Sequence, residues 1–427
     1  MTVSSIQAQP APMYTPASDA LPVAPSLLRR FAERFALIAF GLYHLPLFIN
    51  NYPSLGGGGF NETGLAPRWG HLFTPPAVWV ARNVLHVARI TQNSYQGDNG
   101  DVSEEYARLL LAVAIGVIGA LAWAFADRRR PKGKWVESTL RVLLRYSIVL
   151  GIMSYAIAKL LPQQFPPVPI TTLETRVGDL SPMMLLWTFM EYSRAYAFFG
   201  GVMEFLAVAL LCFRRTATLG ALLAVAVMTN VALLNYAYGV PVKLYATMIT
   251  ISAAVLVLYD ARRLFDFFVR GRAVAIDRSS TWLQDSMSPA WRNTIKTVGV
   301  GSVMLSSIVA MAPTLHRPAD SPLDGAWVVT ASNAATPWRR MVVSPFGVVL
   351  TTSDSLVGCG RTPGRGTASV LSLRCRGGRT AELKWARVQD TLQLDGTFAG
   401  APLHVTATHV GRGSYNLMKS QFKWIVE

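Results

Sequence analysis

Seven stretches of this chain are each long and apolar enough to cross a lipid bilayer, and nothing else in the sequence constrains the fold as much. They run over about 28–49, 107–126, 138–161, 194–213, 217–238, 242–259 and 296–314. A hydrocarbon core ~30 Å thick needs ~20 apolar residues in a helix that rises ~1.5 Å per residue. Composition agrees, with charged residues at 15% of 427 and a mean hydropathy of +0.32; a soluble domain carries roughly a quarter of its residues as charges. The chain reads as a polytopic α-helical membrane protein whose first partner is the bilayer.

A formal net charge of +16 would suit nucleic-acid binding, but its placement argues against it. Arg29, Arg30 and Arg34 stand at the head of the first stretch, and Arg128, Arg129, Arg130, Lys132 and Lys134 follow the second. Arg214 and Arg215 follow the fourth, and Arg262, Arg263, Arg270 and Arg272 follow the sixth. Threaded in alternation, all of them fall on one side, which the positive-inside rule makes the cytoplasm. The amino terminus is then inside and everything after about residue 316 outside. Residues 1–26, rich in Ala, Pro and Ser and without a basic leader, read as a disordered cytoplasmic tail.

The long outside segment 50–104 opens with the loop NNYPSLGGGGFNETG, continues with the helix-spaced PPAVWVARNVLHVARI and turns at QGDNGD. Pro162, Pro166 and Pro167 stop the third membrane helix, and Ser181-Pro182 starts a short outer helix over 183–192. Residues 269–317 read as a cytoplasmic connector leading into the seventh helix. From Asp324 the texture changes to period-two runs such as RRMVVS, GVVLTT, SVLSLRC, AELKWARV, TLQLDG, PLHVTATHV and SQFKWIV, with turns at GRTPGRG, RGGR and DGTFAGAP. Residues 318–427 are thus expected to form a small antiparallel all-β domain, a barrel or a sandwich. Cys359 and Cys375 are an even pair in strand-like sequence on the outside, which favours one structural disulfide over a redox pair. Cys212 reads as a small buried thiol.

No H-E-x-x-H, P-loop, G-x-G-x-x-G after a strand, G-x-S-x-G or zinc-ligand spacing is present, so no metal or covalent cofactor is implied. His404 and His409 read as exposed strand residues. The chemistry lies in polar residues within the apolar stretches, which are costly in lipid and tend to have a role. Glu204 sits near mid-membrane behind Gly200-Gly201, a pair that lets a neighbouring helix approach. Asn230 is at comparable depth on the next helix, Asn235 and Tyr236 lie nearer the outside, and Lys159 and Lys243 fall at the outer boundary. His44 is read first as a packing hydrogen bond. A lone interfacial lysine snorkels; two beside a buried carboxylate suggest a shared cavity opening outward, rimmed by Trp187, Tyr192, Tyr196 and Tyr245. The lysines stand about two turns from Glu204 in depth, so a protonated Glu204 held by Asn230 is the expected arrangement.

The stretch 138–268 resembles the DoxX-like family of bacterial four-helix membrane proteins. The resemblance is carried by YAIAKLLPQQF, by SPMMLLWTFMEYSRAYAFFGGVMEFLAVALLCFRRTATLGALL and by MTNVALLNYAYGVPVKLY with DARRL. Lys159, Glu204 and Arg214-Arg215 match the family pattern of an outer lysine, a glutamate in the next helix and a basic turn. The resemblance, which does not include the first two helices, the seventh or the β-domain, implies a four-helix bundle over 136–268 in a bacterial inner membrane; two membrane helices in 27–135 precede it, and the positive-inside reading then makes the β-domain periplasmic. The resemblance also implies an accessory subunit of quinone-linked redox chemistry, whether or not itself an enzyme, with electrons from a partner protein. The ligand would be a quinone or similar amphiphile near His44, Lys159, Tyr196, Glu204, Asn230, Asn235, Tyr236 and Lys243. The closing segment LDGTFAGAPLHVTATHVGRGSYNLMKSQFKWIVE resembles the end of a lipocalin-like barrel, which implies ligand binding outside the membrane. Two further readings stand beside these: a transporter or lipid-handling protein, and a membrane anchor for the β-domain.

Overall fold

The computed structural model describes residues 26–50, 65–88, 90, 101–126, 135–274, 287–315, 321–334, 337–345, 347–352, 356–362, 370–375 and 377–418. The amino-terminal tail, the four-glycine loop, the basic run 128–134, most of the connector and the SQFKWIV strand lie outside the described residues.

Helices occupy all seven expected stretches. In chain order α1 spans Leu27–Asn50, α2 Leu65–Asn83, α3 Ser103–Ala126, α4 Trp135–Leu160, α5 Ile170–Leu173 and α6 Pro182–Tyr192. Then come α7 (Arg194–Cys212), α8 (Ala217–Ala237), α9 (Lys243–Tyr259), α10 (Ala261–Phe268) and α11 (Pro289–Leu315). Among the described residues α3, α4, α7 and α8 are each long and apolar enough to span a bilayer, and α9 joins them when taken together with α10. The interface helix differs from expectation: α2 starts at Leu65, runs through Pro75-Pro76 and ends at Asn83, so His86 lies beyond it at φ 52°. Ala77, Val80 and Ala81 of α2 pack on Ala107 of α3.

The local chemistry at the 181–194 break is legible. Ser181 Oγ accepts from Met184 N at 3.2 Å, with Pro182 in the first turn of α6. Ser193 leaves helical geometry and caps α7, accepting from Tyr196 N at 3.4 Å. Helix α4 is the hub, packing against α1, α7, α9 and α11, while α7–α8 and α8–α9 close a ring with it. Ile148, Ile152, Ala156, Ala207, Leu211 and Ile249 fill that ring. Small residues set the spacing: a Cβ on Gly201 would stand 2.8 Å from Lys159 Cβ and 3.2 Å from the Ala156 carbonyl oxygen, so α7 lies against α4 at backbone contact.

The carboxyl-terminal domain is a closed eight-stranded antiparallel barrel. Its strands are β1 (Gly325–Ser332), β2 (Trp338–Ser344), β3 (Gly347–Thr352), β4 (Leu356–Thr362), β5 (Val370–Cys375), β6 (Thr380–Val388), β7 (Thr391–Phe398) and β8 (Ala401–Val410), and β8 pairs back with β1. An eight-stranded interior is just wide enough for side chains to fill, and Trp327, Met341, Leu350, Leu371, Leu383 and Leu394 occupy it. Strand β4 was not read in the sequence, because its Gly358, Gly360 and Thr362 look like turn chemistry. The expected turn at DGTFAGAP is narrower than it reads: Asp395–Phe398 belong to β7, and Ala399 and Gly400, at φ 52° and 84°, make the two-residue hairpin turn. Cys359 and Cys375 stand opposite one another on β4 and β5 and are joined as a disulfide.

The barrel is held against the segment between α4 and α6. Arg340 of β2 bridges Glu174 at 3.0 Å, the Tyr415 hydroxyl donates to the same carboxylate, and Arg412 donates to the Val168 carbonyl. Burial, then the bond to Glu174, raises the Tyr415 phenol above its ordinary range.

Candidate functional site

Lys159 is the penultimate residue of α4, and Glu204 lies in the third turn of α7. The lysine Nζ donates to both carboxylate oxygens, at 2.6 and 2.8 Å, with side chains only 8% and 3% exposed. Glu204 is therefore held by a cation rather than protonated on Asn230, and the depth argument is corrected. Two things close the gap: the close approach at Gly201, and a four-carbon lysine stem able to run along the helix toward the carboxylate.

Lys159, held by Glu204 behind it, is one wall of a cleft at the barrel-side end of the bundle. The cleft has a volume of about 120 Å3, opens to the exterior and is lined by Lys159, Phe165, Glu191, Arg194, Ala197 and Phe198, among others. Glu191 and Arg194, one on each side of the Ser193 break, are paired at 3.0 Å; the carboxylate is buried and the guanidinium exposed at the rim. Phe165 stands edge-on to Trp187, with ring centroids 5.4 Å apart. The lining thus combines two cations, Lys159 and Arg194, one carboxylate, Glu191, and the aromatic rings of Phe165 and Phe198. The surface it exposes is almost wholly apolar, with the charged groups reaching it only at its margins. An ammonium has three N–H donors, of which Glu204 takes two.

The other expected site residues divide. Lys243 does not enter the cleft: its Nζ lies 3.2 Å from Asp101 Oδ2, and its backbone N and that of Leu244 each donate to the same carboxylate at 2.9 Å. Val242 offers α9 no side-chain cap, so Asp101, 142 residues away in sequence, caps the helix from across the bundle. Asn230 is exposed on α8, away from Glu204. That helix is apolar all round, so its sequence carries no facing information. Asn235 is buried, and its Nδ2 donates to the Val242 carbonyl at 3.3 Å, holding the α8–α9 turn. Tyr236 is exposed, with its hydroxyl 3.4 Å from that of Thr247. Tyr196 is exposed and stacks edge-on with Phe189. Tyr245 is not a rim residue; its hydroxyl donates to the Gly151 carbonyl at 3.2 Å between α9 and α4.

His44 plays the packing role expected of it. Its Nε2 lies 2.9 Å from Ser252 Oγ, and that hydroxyl donates to the Met248 carbonyl at 2.7 Å. The serine proton is thereby committed, so Nε2 is the donor and Nδ1 the bare nitrogen. His404 is exposed beside Asp395 at 2.5 Å, and His409 stacks edge-on with Trp327.

Phe165, Glu191, Arg194, Phe198 and Asp101 were not read from the sequence as site residues. Glu191 and Arg194 had a signal: three residues apart across a helix break, next to the lysine's own loop. Asp101 had one too, since helix alternation puts it on the same side of the membrane as Lys243.

The comparisons with known proteins bear on part of the chain. A protein of Bacillus subtilis (strain 168), described as uncharacterized protein YwoB, is 30% identical over 140 residues, 86% of its length and 33% of this chain. The chain belongs to the YwoB family. The description of YwoB names no activity or ligand. No family model matches the chain, and no solved structure matches it.

Proposed function

We propose that the helical bundle binds the polar head of an amphiphile, a quinone in the first instance, in the cleft over Lys159 and Glu204, and serves redox chemistry as a DoxX-like membrane subunit. One observation carries this reading: a buried lysine, paired with Glu204 behind it, borders an open cleft with aromatic walls at a helix end. The third N–H of Lys159 donates to a carbonyl oxygen of the ligand and stabilises negative charge developing there. Glu204 accepts from that ammonium through both carboxylate oxygens and holds it in place. Electrons come from a partner protein.

The same reading places the protein in a bacterial inner membrane with its amino terminus in the cytoplasm. Arginines at one set of helix ends support this by the positive-inside rule. The barrel belongs on the opposite, periplasmic face, and its contact with the α4–α6 segment supports that side. A lipid-handling role is favoured by one further feature: the barrel grips, at Val168 and Glu174, the chain segment whose beginning walls the cleft.

The test is mass spectrometry of small molecules that co-purify in mild detergent with the parent, with Lys159→Ala and with Ala197→Trp, which fills the cleft while keeping both charged residues of the pair. Lys243→Ala serves as a control, because its ammonium is spent on Asp101. A quinone kept by the parent and by Lys243→Ala but lost from the other two supports the redox reading. A phospholipid with that pattern replaces it by the lipid-handling reading. If no molecule follows the cleft variants, the proposal fails.

A further inference from the structure

Helix α10 and the basic turn beside it are used neither by the cleft nor by the barrel. Its eight residues, ARRLFDFF, segregate sharply at ~100° per residue. Ala261, Leu264, Phe265, Phe267 and Phe268 share one side, whereas Arg262, Arg263 and Asp266 share the other, and Arg270 follows just past the helix end. Phe265, Phe267, Phe268 and Val269 are 48%, 57%, 72% and 66% exposed. Gly271, at φ 62°, ends the segment.

Position says what this apolar face meets. Helix α9 has 17 residues, so at ~1.5 Å per residue it covers ~26 Å of a ~30 Å core and ends at the boundary of the hydrocarbon. There the chain turns by 67° at Asp260, setting α10 across the direction of α9. Thr218 of α8 donates to Asp260 Oδ2 at 2.5 Å and fixes the bend. It also brings Arg214 and Arg215, exposed just before α8, alongside the exposed Arg262, Arg270 and Arg272. Asp260 and Asp266 engage Arg263 and Arg270, which leaves this end of the molecule with an excess of guanidinium groups.

We propose that α10 is a surface helix that lies in the leaflet at the arginine-rich face, its phenylalanines in the acyl boundary, and that the arginines select anionic phospholipid headgroups. A planar guanidinium matches a phosphate with two parallel hydrogen bonds, and an interfacial helix gains from apolar burial and anionic attraction together. This inference rests on the membrane character of the bundle and not on the cleft.

Two measurements on the full-length protein test it. In vesicles of phosphatidylcholine and phosphatidylglycerol, a spin label is placed by Phe268→Cys or Arg262→Cys, and its accessibility to oxygen and to a water-soluble nickel complex is read. The label at 268 is expected to see oxygen and the label at 262 the nickel complex. A label at 268 that sees nickel as readily as the one at 262, or that is shielded from both reagents by protein, overturns the proposal. In native mass spectrometry from a detergent mixture of the two lipids, the parent is expected to retain phosphatidylglycerol preferentially. Arg262→Gln/Arg272→Gln is expected to lose at least about fivefold of that preference, on a scale of about fivefold per basic residue at an anionic surface. An unchanged preference overturns the lipid selectivity, whatever becomes of ligand binding in the cleft.

Discussion

Replacing Lys159 with Met leaves the Glu204 carboxylate buried, with its two short hydrogen bonds gone. The pair is almost fully out of solvent, at 8% and 3% side-chain exposure, so the small values typical of surface ion pairs do not apply. Removing one partner of a buried pair costs about 3–5 kcal/mol, most of it the penalty of the charge left behind. For a cooperative unit of 150–250 residues, each kcal/mol moves Tm by about 2–4 °C, so a loss near 4 kcal/mol corresponds to about 8–16 °C. Lys159→Met/Glu204→Leu removes both charges at once. It is expected to recover most of that loss, because a desolvated pair and an apolar pair of similar volume are close in stability. The assay is thermal unfolding of the parent, both single variants and the double variant in one detergent, closed as a double-mutant cycle. A coupling energy below about 1 kcal/mol, or a double variant as unstable as the sum of the singles, would refute the pairing itself. If stability returns in the double variant while ligand retention does not, the pair is there for binding. If both return, it is there for packing.

Three further outcomes are expected. Asp101→Ala removes two backbone caps and the ammonium partner of Lys243 and is expected to cost about 1–2 kcal/mol, whereas Asp101→Asn, which can still accept from the backbone, costs less; Tm in detergent reads both. Cys359→Ser/Cys375→Ser opens a link across a sequence separation of 16 residues and should lower barrel stability by about 3 kcal/mol, read by denaturant unfolding with and without reductant. Barrel docking at Glu174 should be flat through neutral pH and weaken at high pH. Tyr415 titrates higher when docked than when free, so its contribution is complete below the ordinary phenol value of about 10 and is lost as pH rises through the docked value. Cross-linking yield between the barrel and residues 170–174 measures this, and Tyr415→Phe should abolish the dependence.

The sequence by itself determined the segment plan. Length and hydropathy set the apolar helices, Ser181-Pro182 set the start of α6, and period-two alternation set most of the barrel strands. These are local properties: each is decided within one or two turns, or within one strand, by solvation and backbone chemistry. Glycine-rich β4 escaped for the same reason, since its glycines look like a turn until β3 and β5 are in place on either side. Of the polar residues within the apolar stretches, Lys159 and Glu204 were each legible as candidates, Glu204 behind Gly200-Gly201 and Lys159 at the outer boundary, but not as partners, because sequence depth set them about two turns apart.

Tertiary structure alone decided who faces whom. In a helix as uniformly apolar as α8, rotation about its axis leaves no trace in the sequence, so Asn230 turns outward while Asn235, five residues on, turns inward to close a turn. Lys243 sits at the head of a helix whose missing cap is supplied by Asp101, a contact set by the packing of the bundle across 142 residues of chain. Lys159 reaches Glu204 because backbone contact at Gly201 brings the helices to a separation the lysine stem can span. A buried charge fixes its partner through distances of a few ångströms, and only the assembled bundle sets distances on that scale.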